Sequence, residues 1–155
     1  MIHNNNPFES HSNSRLQRNR LFYIKRSLNK NIVVYSYNTT RDNELDAQNP
    51  INSYWIMKEK GENITEKLSF IERKLAFGHS IVKKDNKIEF YINSLPEMKF
   101  YLKQVNDKWI CVTEDNKRLQ KVYVQLKPGI SIFVDYVDIY LLHKGELEKY
   151  RIKNK

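Results

Sequence analysis

Only one cysteine, four glycines and four prolines occur among 155 residues, and each scarcity removes a class of chemistry. Cys111 alone makes no intrachain disulfide and no all-cysteine metal cluster. So few glycines leave no Gly-rich loop to cradle a phosphate and no Gly-x-Ser-x-Gly nucleophile elbow. No apolar run approaches the roughly 18 residues that a membrane helix needs. The first 20 residues, MIHNNNPFESHSNSRLQRNR, hold no apolar signal core. The expected compartment of the sequence as written is therefore cytoplasmic, or periplasmic if the true start lies upstream. His3, His11, His79 and His143 show neither His-x-His nor His-Glu-x-x-His spacing, so no metal site and no other cofactor are expected.

What is abundant is basic charge and aromatic surface. Lysine and arginine total 27 against 18 acidic residues, a net of +9. A basic surplus attracts polyanions through counterion release. Its distribution weakens that reading, because residues 1–30 carry +5 and residues 31–155 only +4. Most later lysines alternate with acids in solvated turns, as in KEKGE and KKDNK, and no nucleic-acid-binding motif accompanies them. Nucleic acid is not the expected partner.

Residues 1–19 are rich in Asn, Ser and His and lack apolar periodicity, which reads as a disordered basic tail preceding one β-rich domain over 20–155. Segments 21–27 and 31–37 read as a hairpin, with Asn29 expected in a left-handed turn conformation, and 52–58 as a third strand. Ile64, Leu68, Ile71 and Leu75, spaced 4, 3 and 4, predict a helix over about 63–77. Asn63 and Glu66 would cap it and Gly78 would end it in a left-handed conformation. Leu68, Ile71 and Leu75 are the face expected to pack on the sheet. The pattern then returns to period two through 81–82, 87–93, 100–105, 109–113, 119–127, 130–142 and 147–152, with turns every 8–14 residues. The predicted fold is mainly β, an antiparallel barrel or barrel-like sandwich of about nine strands, with one helix after the third. Closure is favoured because so many consecutive strands leave edges that need protection.

Catalytic constellations are absent. Cys111 alternates with Trp109 along a strand and reads as a buried apolar residue. Asp135 and Asp138 stand three apart, which on a regular strand puts them on opposite faces, and Glu146 and Glu148 flank a turn. The aromatic residues are the better lead. Tyr54 and Ile56 share one face of the third strand, Trp55 and Met57 the other. A ligand cavity would be lined by Tyr35, Tyr54, Trp55 and Tyr91, with Arg26, Arg73 or Lys121 orienting a charged group. Lys121 is expected on one face with Leu119 and Tyr123. The plainer alternative is a core filled by those same side chains.

The segments NRLFYIKRSLNKNIVVYSYN (19–38), LDAQNPINSYWIM (45–57), LSFIERKLAFG (68–78), LQKVYVQL (119–126) and VDYVDIYL (134–141) resemble an uncharacterised bacterial family, domain of unknown function 4833. The resemblance implies a small single-domain protein, often exported, with no assigned activity and no established site residues.

These features together point to a non-enzymatic binding module with a barrel cavity for a small apolar or amphipathic ligand. The alternative is a protein-interaction or envelope-associated structural domain that uses exposed tyrosines and the basic tail. A hydrolase with a dispersed site stays a third reading, since catalytic residues need only converge in space. A monomer or weak homodimer is expected.

Overall fold

The computed structural model describes residues 19–58, 63–83, 87–129 and 133–153. The tail expected over 1–19 lies almost wholly outside these residues, as do the turn at 84–86 and the start of the run at 130–142. Among these described residues, eleven strands and one short helix follow in the order β1 (Arg20–Arg26), β2 (Ile32–Tyr37), β3 (Ile51–Met57), β4 (Ile64–Lys67), α1 (Phe70–Leu75), β5 (His79–Lys83), β6 (Glu89–Ile92), β7 (Leu95–Val105), β8 (Lys108–Val112), β9 (Arg118–Leu126), β10 (Val134–His143) and β11 (Glu146–Lys153).

The strands form one sheet, curled into a half-barrel, in the order β4-β3-β2-β1-β9-β8-β7-β6-β5, and β10 with β11 branch from β9. β10 lines β9 from Arg118 to Leu126, while β1 pairs with residues 121–124 and β8 with Arg118 alone. A strand has two edges, so β1 and β8 share one, and the sheet divides there. The β1–β9 pair is parallel, an exception to the antiparallel expectation.

Alternation sets the two faces. Phe22 and Ile24 of β1, Val33 and Tyr35 of β2, and Trp55 of β3 turn inward to the main core. There Phe22 stacks on Tyr35 at 4.5 Å, and Phe90 and Phe100 extend the aromatic layer. Ile32, Val34, Tyr54 and Ile56 form a second buried cluster on the opposite face, with Tyr23 against it.

Turn chemistry closes the hairpins. Asn106-Asp107 and Lys144-Gly145 both have two consecutive positive φ values, the left-handed pair that matches the twist of a two-residue hairpin. Asn29 is not left-handed; its side-chain oxygen instead accepts the Asn31 amide at 3.0 Å, a local turn made by the side chain.

The helix is the main departure. Ile64–Lys67 pair with β3 as an edge strand, so the helix follows the fourth strand and has six residues. Ser69, not Asn63, is its N-cap: Ser69 accepts the Glu72 amide and Glu72 returns to the Ser69 amide, a complete capping box. Of the expected packing stripe only Leu68 is buried, at 5% exposure, whereas Ile71 and Leu75 are 67% and 73% exposed. Gly78 is required for close approach rather than for a left-handed φ, since a Cβ there would lie 2.0 Å from the Arg73 carbonyl oxygen.

Candidate functional site

The curl of the sheet brings the end of β1, the middle of β3 and the end of α1 together. Ile24, Val33, Trp55 and Glu66 stand in one cross-strand row over β1 to β4. Arg26 is two residues beyond Ile24 on the same face. Its guanidinium carbon lies 4.8 Å from the Trp55 ring centre and 5.5 Å from that of Phe77. The Phe77 ring meets the Trp55 ring edge-on at 5.3 Å. A cation gains from the electron-rich faces of such rings, more so where water is partly excluded.

Glu72 completes the group. Its carboxylate accepts the Trp55 indole N–H at 3.2 Å and the Ser69 amide at 2.8 Å. Partial burial pulls the Glu72 pKa up, but the hydrogen bonds from Ser69 and Trp55 and the charge of Arg26 outweigh it and hold the group ionised below its ordinary range. Burial lowers the Arg26 pKa and Glu72 opposes that fall. The Nε atom of Arg26 is nonetheless buried without a hydrogen-bond partner among the described residues. A buried charged donor of this kind is costly unless something accepts from it.

Below this group the interior is closed by aromatic rings. Tyr35 is fully buried, its hydroxyl donates to the Phe77 carbonyl, and desolvation raises its pKa far above that of a free phenol. His79 meets Tyr35 and Phe90 edge-on, and burial lowers its pKa to about 4, so its imidazole is neutral. Cys111 is wholly buried and desolvation raises its pKa, which leaves an unreactive thiol. Among the described residues no three of His, Cys, Asp and Glu converge on a metal-sized site.

Of the seven residues singled out in the sequence, the structure brings three together: Arg26, Trp55 and Tyr35 share the inner face. Tyr54 belongs to the cluster on the opposite face, where burial raises its pKa. Tyr91 is half-buried on β6 opposite Ser80, and Arg73 is exposed on α1. Lys121 is on the outer face, 5.1 Å from the Tyr140 ring, 5.9 Å from Tyr123 and 6.0 Å from Tyr23. It does not share a face with Leu119. The register with β10 slips by one residue at Gln120, so Leu119 turns into the core and Lys121 away from it. Asp138, on the same outer face, is buried and holds Arg151 through two hydrogen bonds of 2.9 and 3.0 Å.

Sequence reasoning missed Glu72 and Phe77. The Ser69-x-x-Glu72 pattern was a usable capping signal for the first; nothing local marks the second.

A family model for a domain of unknown function, DUF4833, matches residues 22–148. The chain belongs to this family. The matched span of the DUF4833 domain runs from β1 into β11 and contains Arg26, Trp55, Glu72 and Phe77. No curated protein and no solved structure gave a match.

Proposed function

We propose that this DUF4833 domain is a non-catalytic binding module for a small amphipathic anion, taken at the rim of the half-barrel rather than deep within it. The observation that carries the reading is Arg26, a half-buried guanidinium held over Trp55 and Phe77 at the rim. An anionic head would accept from the guanidinium, and an apolar body would lie along the aromatic rim. The filled interior at Tyr35, Phe22 and Phe90 supports a rim position over a deep cavity. Native mass spectrometry with dodecanoate tests it. One bound dodecanoate per chain is expected, and no uptake above that of an unrelated protein would contradict it.

One observation favours a second reading, an interaction surface formed by cations among half-buried tyrosines. Lys121 among Tyr23, Tyr123 and Tyr140, with Arg151 3.8 Å over Tyr136, makes the outer face of β1, β9, β10 and β11 basic and aromatic. Loss of heparin retention in Lys121→Glu, with dodecanoate uptake unchanged, would support it.

A further inference from the structure

Helix α1 is mounted with its polar contacts inward and its apolar side chains outward. Leu68, just before it, anchors in the core. Glu72 turns to Trp55 and the cap, and the Asn93 side chain donates to the Arg73 carbonyl at 2.6 Å. The turn at Asn93-Ser94 adds amide bonds to the carbonyls of Gly78 and Ala76 at 2.8 and 3.1 Å. These contacts fix the helix through polar groups. Phe70, Ile71 and Leu75 are left 65%, 67% and 73% exposed, with Lys74 5.5 Å from the Phe70 ring centre. Positions 70, 71, 74 and 75 lie along one helical face. A water-facing surface helix normally has the reverse arrangement.

Charge indicates what would cover this face. The acidic residue of α1, Glu72, is drawn inward, so the cations of the helix, Arg73 and Lys74, stand exposed beside the apolar side chains. Exposed Lys67, the last residue of β4, pairs with Tyr54 on the other side of the sheet and adds no charge to this helix face. Apolar side chains flanked by flexible cations suit the boundary between anionic headgroups and acyl chains, where the rings and alkyl groups enter and the cations meet phosphate. Among the described residues no helix is long and apolar enough to cross a membrane.

We propose that α1 is a membrane-surface anchor that inserts Phe70, Ile71 and Leu75 into the interface of an anionic bilayer, with Arg73 and Lys74 on the headgroups. This assignment stands independently of the Arg26 site.

The test is sedimentation of the full chain with phosphatidylcholine vesicles, with and without about one third phosphatidylglycerol, in wild type, in the Ile71→Ser/Leu75→Ser double variant and in Arg73→Gln/Lys74→Gln. Both double variants change exposed side chains only, and unchanged melting temperatures check that they fold. Wild type is expected to bind the anionic vesicles at least about tenfold more tightly than either variant. Three results would overturn the proposal. Wild type could ignore anionic vesicles. Binding could persist unaltered in Ile71→Ser/Leu75→Ser, which would place it on general positive charge. Wild type could form a dimer that this variant abolishes, which would make a second copy the occupant of the face.

Discussion

The Trp55 ring holds a cation at its face and an anion at its edge: the Arg26 guanidinium carbon is 4.8 Å from the ring centre, and the indole N–H donates to Glu72 at 3.2 Å. The ring quadrupole favours both contacts, since the face is electron-rich and the edge electron-poor. Trp55 is also buried in the main core. Trp55→Ala would therefore cost about 3–5 kcal/mol through the cavity alone, and it would report on folding more than on binding. Arg26 is the informative residue.

Glu72 ties the cap of α1 to this ring, and two substitutions separate its roles. Ser69→Ala should cost about 1 kcal/mol, the usual value of an N-cap. Glu72→Ala should cost more, because it also removes the acceptor of the Trp55 indole and the anion beside Arg26. Urea unfolding of both variants measures the difference. Equal losses would mean that the carboxylate acts on the helix cap alone.

Gly78→Ala places a methyl group 2.0 Å from the Arg73 carbonyl oxygen, which neither backbone segment can absorb without moving. A loss of about 1–3 kcal/mol is expected, read as a Tm fall of several degrees. An unchanged Tm would show that the end of α1 is not packed as described.

His79 gives the fold a pH dependence of defined sign. Burial lowers its pKa from 6.5 to about 4, so between those values the unfolded chain binds a proton that the folded chain does not. Stability from this group is complete above about pH 6.5 and is lost as pH falls toward 4, by up to ~3 kcal/mol. Urea midpoints followed from pH 7 to 4.5 should fall more steeply in wild type than in His79→Gln. Parallel profiles would refute the burial of a neutral imidazole.

Many strands were legible in the sequence because runs of β-branched and aromatic residues are bounded by turn residues: Ile32–Tyr37 is such a run, buried on both faces, and Asn106-Asp107 and Lys144-Gly145 mark hairpins. The helix was misread because Ile64, Leu68, Ile71 and Leu75 fit a helical stripe, while pairing with β3 draws Ile64–Lys67 into a strand. The face of Lys121 depended on a one-residue slip at Gln120 that local pattern does not encode. For the site, residue type picked out Arg26 and Trp55, but their meeting with Phe77 depends on sheet curl, a long-range property. The sequence reading passed over Ser69-x-x-Glu72; because Ile64–Lys67 pair with β3, the helix starts at that capping box and not at Asn63.

The most direct test of the binding-module account is a Trp55 fluorescence titration with dodecanoate below its micellar concentration, in a Trp109→Phe background, with and without Arg26→Met. The account predicts a saturable one-to-one change in Trp55 emission, weakened about 10–100-fold by Arg26→Met through loss of a charge-assisted hydrogen bond. No saturable change, or equal affinity with and without the guanidinium, would contradict it.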